Sequence, residues 1–202
     1  MLCGFALALT STSGWAGSSS RSILILGDSL SAAYGIKVEQ GWVALMEHQI
    51  KAQGFSYRII NASISGETTG GGLARLEALL KQHQPELLII ELGANDGLRG
   101  FPVKLMKSNL DAMIMMGQKY QTRTLLIGVQ IPLNYGPRYT RAFENVFVEL
   151  SQQHQLPLLP SLMGDIPLNA ALMQADGLHP HADAQPLIRD RVWPVLKHLL
   201  KK

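Results

Sequence analysis

One cysteine in 202 residues, Cys3, excludes a disulfide framework and a multi-thiolate metal site. Cys3 sits in the leading apolar run "MLCGFALAL", so a chain that sheds this run has no thiol nucleophile either. Only Met1 and Leu2 precede it, too little for a lipoprotein box. Charge is scarce as well: Asp, Glu, Lys and Arg make up 16% of the chain, against about 25% in an average globular protein. With 47% hydrophobic residues the chain has the means to bury a core, and disorder is excluded. Lys and Arg outnumber Asp and Glu by only 18 to 15, and they are scattered. No basic stripe of the kind nucleic-acid binding needs is present, and Lys197, Lys201 and Lys202 read as a solvated helix end. Nor does any apolar run reach the ~18 residues of a stable membrane span.

The first twenty residues stand apart. The apolar run is followed by "TSTSGWAGSSS", where Gly14-Trp15-Ala16 supplies the small-x-small pattern of a signal-peptidase site. A basic start is missing, the first Lys or Arg being Arg21. Residues 1–20 are expected to be a signal peptide and linker, which would place the protein in the periplasm or outside the cell. Residues 21–202 are expected to form a single domain, a length that suits one core.

From Ser22 onward, apolar runs recur at Ser22–Leu26, Arg58–Ile60, Glu86–Leu92, Thr124–Val129 and, more weakly, Leu156–Leu159. None alternates in and out, as befits strands buried on both faces of a parallel sheet. Between them, Trp42, Leu45, Met46 and Ile50 share one helical face, and so do Leu73, Leu76 and Leu80. Further helices are predicted near Val103–Tyr120 and Arg138–His154. A last one carries Ile188, Val192, Val195 and Leu199, with Pro194 expected to bend it. Strand-helix alternation predicts a three-layer α/β sandwich with right-handed crossovers. No heptads point to assembly, and a monomer is expected.

In such a sheet, chemistry sits beyond the carboxyl ends of the strands. The polar, glycine-rich segments lie there: "GDSLSAAYG", "NASISGETTGGG", "GANDGLRG" and, after the fifth strand, "DGLHPHADAQ". The first is neither a P-loop nor a dinucleotide fingerprint, since it lacks the Lys and the glycine spacing. It is not a G-x-S-x-G elbow, because Ser31 stands where the second glycine should. Gly70-Gly71-Gly72 opens a helix and could meet an anion, but a flexible start to the helix is the better reading. Ser29 is inert unless a base takes its proton. Of six histidines, His48, His83, His154 and His198 fall in or at the ends of helices and read as exposed surface groups. His179 and His181 lie in the proline-containing loop, with Asp176 three residues before His179 and Gly177 letting the backbone curl. Acyl chemistry also needs hydrogen-bond donors where an oxyanion forms. Ser29 N–H, Gly66 N–H and the Asn95 amide are candidates; taken singly, Gly66 and Asn95 read as well as turn residues.

Gly27-Asp28-Ser29-Leu30, Gly66, Gly93-x-Asn95-Asp96 and Asp176-x-x-His179 together resemble the four blocks of the SGNH (GDSL) hydrolases, in order. The resemblance runs from Ser22 to the C-terminus. It is nearest to the bacterial periplasmic thioesterase/lysophospholipase/arylesterase subgroup, in "NASISGETT", "LARLEALLKQHQP", "ELGANDGLRGF" and "PLNYGPRY". It implies a flavodoxin-like three-layer α/β/α fold with a central parallel sheet of about five strands. It further implies Ser29 as nucleophile, His179 as base, Asp176 as its orienting carboxylate, and Ser29, Gly66 and Asn95 as the oxyanion hole. Val129, Ile131 and Leu133 would line the acyl groove. No metal or cofactor is implied, and the substrates would be small acyl esters or thioesters, lysophospholipids among them. His181 is the rival base. An acyltransferase or a non-catalytic lipid-binding module are the rival functions, and the full set of four blocks disfavours the latter.

Overall fold

The computed structural model describes residues 21–202; the signal-peptide reading of residues 1–20, with Cys3 and Gly14-Trp15-Ala16, falls outside the described residues. Five strands form one parallel sheet: β1 (Arg21–Gly27), β2 (Tyr57–Asn61), β3 (Leu87–Glu91), β4 (Arg123–Ile127) and β5 (Leu158–Leu159), in the order β2-β1-β3-β4-β5. Six helices flank them: α1 (Trp42–Ala52), α2 (Thr69–His83), α3 (Ala94–Leu98), α4 (Val103–Lys119), α5 (Pro137–His154) and α6 (Gln185–Lys197).

The pleat sorts the strand residues into two cores. Ile23, Ile25, Leu87, Ile89, Leu125 and Ile127 face α1 and α6, packing with Trp42, Met46, Ile50, Ile188 and Val192. Leu24, Leu26, Leu88, Ile90 and Leu126 face α2, α4 and α5, packing with Leu76, Met113, Phe143 and Phe147. Apolar residues on both faces explain why the strands read as unbroken runs. This is the expected α/β/α sandwich. Among the described residues, no helix is long and apolar enough to cross a membrane.

Several sequence expectations are corrected here. The fifth strand is only Leu158–Leu159, because prolines flank it and Pro157, lacking an N–H, can only accept from Leu126 N–H. "GANDGL" is not wholly loop: Ala94–Leu98 is a short helix. Gly70-Gly71-Gly72 is not a flexible start but the first turn of α2, and a Cβ on Gly72 would run into Leu92. No anion is needed at this helix start, since the Asp96 carboxylate already accepts from Thr69 N–H (2.8 Å) and Thr69 Oγ1 (2.6 Å). His154 is not an exposed surface group: its side chain is 11% exposed and it pairs with Asp111 across α4 and α5. Pro194 does fall inside α6, as read from the sequence, and on its exposed side, where solvent can reach the Asp190 carbonyl that has lost its intrahelical donor.

At the amino edge of the sheet, Glu86 gathers Arg21, Arg123 and Lys201. Arg21 Nη1 also donates to the carbonyls of Lys201 (2.6 Å) and Lys202 (3.2 Å), and Lys201 N–H donates to Tyr57 Oη (3.2 Å). The two ends of the described chain are thus joined at the edge opposite Ser29.

Strand order places the switch point between β1 and β3: after β1 the chain moves to β2, then returns to β3 on the other side. A crevice outside those carboxyl ends is where an open α/β sheet holds its ligand.

Candidate active site

At the end of β1, Gly27 is paired with Glu91 of β3. A Cβ on Gly27 would come within 2.8 Å of both Glu91 Oε2 and Ser31 Cβ, so the strand end closes tightly only around glycine. The next turn is pinned by the Asp28 side chain, whose Oδ1 accepts from Leu30 N–H (3.0 Å). Ser29 stands at the head of this turn, with its side chain facing the crevice.

The structure brings His179 to Ser29 across 150 residues: His179 Nε2 lies 2.8 Å from Ser29 Oγ. His179 Nδ1 lies 2.7 Å from Asp176 Oδ2, while Asp176 Oδ1 accepts from the N–H groups of Leu178 (2.9 Å) and His179 (3.0 Å). Gly177 takes a φ of +68° in this turn. The His179 N–H, then the imidazole, then the Leu178 N–H hold the Asp176 carboxyl down at about 2, so it stays ionised at any ordinary working pH. With a carboxylate on the Nδ1 side, the tautomer this network favours carries its proton there and leaves Nε2 to accept from the serine.

His181, the rival base, points elsewhere: its ring is 3.8 Å from Asp183 Oδ2 and half exposed, and its N–H donates to the Leu172 carbonyl. Two residues missed in the sequence hold the histidine loop in place. Gln174 Nε2 donates to the Tyr34 carbonyl (2.8 Å) and to the Pro180 carbonyl (3.1 Å). The Tyr34 ring itself lies against the His179 imidazole, with centroids 4.4 Å apart. A glutamine in "MQADG" and an aromatic in the serine loop carried no motif signal.

Gly66 follows β2 with a φ of +79°, a conformation that a side chain would strain, and its carbonyl accepts from Arg99 Nη2 (3.0 Å). Among the described residues, neither Ser29 N–H nor Gly66 N–H has a hydrogen-bond partner. Asn95, on the short α3, gives one Nδ2 proton to Asp28 Oδ2 (3.2 Å). These groups border one cavity of about 650 Å³, together with Ser29 and His179. Val129 and Ile131 line it, with Leu162, Met163, Leu168 and Met173. Leu133 begins a short turn, Leu133–Tyr135, and its side chain falls outside the described residues.

Helix α3 is held from both sides. Asp96 is anchored to Thr69, and Gly97 packs so closely that a Cβ would come within 2.5 Å of Ile131 Cγ2 and 2.8 Å of Phe143 Cε2. Gly97→Ala is therefore expected to lower stability by about 1–3 kcal/mol, the usual cost of overpacking. Denaturant unfolding checks this directly.

A hydroxyl–imidazole–carboxylate chain, three hydrogen-bonding groups that border one cavity and an apolar wall together suit acyl transfer. Comparison with known proteins agrees. A sequence model of the GDSL-like lipase/acylhydrolase family matches residues 25–185. The chain belongs to this family. The family member most usefully compared is esterase TesA of Pseudomonas aeruginosa, 46% identical over 180 residues, which cover 89% of this chain and 90% of that protein. Thioesterase 1/protease 1/lysophospholipase L1 of Escherichia coli is 42% identical over 180 residues, covering 87% of this chain and 85% of its own. Among solved structures, the psychrotrophic esterase EstA of a Pseudoalteromonas species superposes with a TM-score of 0.85 at 50% identity, covering 88% of this chain and 97% of that one. That structure carries a monoethylphosphonate inhibitor.

Proposed function

We propose that this GDSL-family hydrolase cleaves carboxylic esters and thioesters of acyl chains, with Ser29 as nucleophile, His179 as general base and acid, and Asp176 orienting the imidazole. The observation that carries the reading is the continuous Ser29 Oγ–His179 Nε2, His179 Nδ1–Asp176 Oδ2 relay at the mouth of an apolar cavity. His179 Nε2 takes the Ser29 proton as Oγ attacks the acyl carbon. The oxyanion is met by the Ser29 and Gly66 N–H groups and by the Asn95 amide. Asp176, ionised down to about pH 2, faces the positive charge that develops on the imidazole. Nε2–H then protonates the leaving alkoxide or thiolate, and a water activated at the same nitrogen releases the acid. Val129, Ile131 and Leu133 are proposed to receive the acyl chain. The names esterase and thioesterase/lysophospholipase among the relatives support activated esters, thioesters and lysophospholipids as the substrate class.

The test is covalent labelling. A p-nitrophenyl alkylphosphonate should release one equivalent of p-nitrophenol and leave the adduct on the peptide containing Ser29. An unlabelled Ser29 peptide after full inactivation overturns the reading. A p-nitrophenyl ester series from acetate to palmitate then maps the cavity. Asn95→Ala should keep the fold and lose about 10²- to 10³-fold in kcat, the usual cost of one oxyanion donor. Steady-state kinetics beside a melting curve check it.

On the leader-like residues 1–20 we also propose that the enzyme is exported to the periplasm or beyond. Its sequence carries no heptads, and we propose that it acts as a monomer.

A further inference from the structure

Behind Ser29 lie two buried carboxyl groups that the mechanism above does not use. Asp28 and Glu91 are both fully shielded, at the adjoining ends of β1 and β3. Glu91 Oε2 accepts from Ser31 Oγ (2.7 Å) and from Asp28 N–H (3.4 Å), while Glu91 Oε1 has no partner. Asp28 uses its oxygens separately: Oδ1 takes the Leu30 N–H that closes the serine turn, and Oδ2 takes one proton of the Asn95 amide.

We propose that Asp28 is a positioning residue that sets which end of the Asn95 amide faces the oxyanion. The inference rests on the reading of Asn95 as an oxyanion donor. A primary amide is ambiguous, since a flip exchanges an acceptor oxygen for a donor nitrogen. What settles the flip is the group behind it. A carboxylate offers only acceptors, so it draws the Asn95 Nδ2 toward itself, and the second Nδ2 proton is left for the substrate oxygen. An asparagine at position 28 has a single oxygen, and Leu30 N–H already claims it. Its NH₂ would then face Asn95 and draw Oδ1 inward, turning an acceptor toward the developing oxyanion. The turn carrying Ser29 and the amide that stabilises its product state are thereby set by one side chain.

Burial pushes the Asp28 carboxyl up to about 6, against the Leu30 N–H, the His179 charge and the Asn95 amide, which all pull it down. The groups facing it are Glu91 from β3, His179 from the loop after β5, and Asp96 from α3. Burial, with Asp28 as the nearest like charge, holds Glu91 well above the carboxylate range, so the pair carries one negative charge at most near neutrality. Only the ionised Asp28 offers acceptors and no donor on both oxygens, so the carboxylate is the form that holds the Asn95 amide in this sense.

The experiment is a double-mutant cycle on p-nitrophenyl butyrate, with melting curves for every variant. Asp28→Asn should lose at least about tenfold in kcat, bounded by the 10²- to 10³-fold cost of losing the donor, with KM little changed. In the Asn95→Ala background the same substitution should change kcat by no more than about twofold. Losses that multiply in the double variant overturn the proposal while leaving Asn95 a donor. An Asn95→Ala enzyme with full activity instead overturns the oxyanion reading itself. Should Asp28→Asn not fold, a neutron structure of the phosphonate-inhibited wild type decides: Asn95 Nδ2 donating both to Asp28 Oδ2 and to the phosphonyl oxygen is expected, and Asn95 Oδ1 turned toward the phosphonyl oxygen overturns the proposal.

Discussion

Ser29→Ala should lower kcat on a p-nitrophenyl ester by about 10⁶-fold, near the full loss seen when a serine protease triad is dismantled. The size follows from the geometry. Ser29 Oγ is the group that His179 Nε2 addresses, and the other serine of the loop cannot replace it: the Ser31 hydroxyl is committed to Glu91. The serine side chain is small and partly exposed, so the variant should melt within a degree or two of the wild type. Residual hydrolysis should be that of a cavity with donors but no nucleophile, some ~10³-fold above water. The measurement needs enzyme concentrations high enough to see that floor, with the phosphonate-inactivated wild type as its blank. Activity within a hundredfold of wild type would remove Ser29 from the mechanism.

His179→Ala should match Ser29→Ala to within about tenfold, because the two act as one unit and their losses do not add. His181→Ala, two positions away, should stay within about twofold, as an exposed substitution normally does. The contrast arises from the loop's own hydrogen bonds. Asp176 binds the N–H of Leu178 and of His179 as well as the imidazole, so the turn aims only one histidine inward. Adding imidazole to His179→Ala should restore part of the rate, since the vacated space borders the cavity. The reverse pattern, with activity surviving His179→Ala and lost in His181→Ala, would require the loop to be rebuilt.

Much of this was legible in the sequence for definite physical reasons. Ile23 to Leu26 and Leu87 to Ile90 read as buried strands because both their faces pack against helices. Ser29, Gly66, Asn95 and the Asp176–His179 turn each follow a strand, and a parallel sheet collects such segments at one edge. What stayed hidden depends on register and packing. The pairing of Gly27 with Glu91 is what places a carboxyl beneath Asp28, and no spacing along the chain announces it. Helix α3 is five residues with an internal glycine, held by Asp96 on Thr69 rather than by propensity. The Asp111–His154 pair exists only once α4 and α5 lie side by side.

The tie between Arg21 and the carbonyls of Lys201 and Lys202 has a practical side. Both ends of the described chain, Arg21 and Lys202, lie beneath the sheet, on the far side of the molecule from the Ser29 cavity. A resin or sensor chip coupled through a tag at the carboxyl end would hold the enzyme mouth outward, open to bulky lipid esters. Because the ends of the described chain meet, a short linker from Lys202 to Arg21 in place of residues 1–20 could close it into a ring, and new ends could then be opened in a solvent-facing turn such as Gly54.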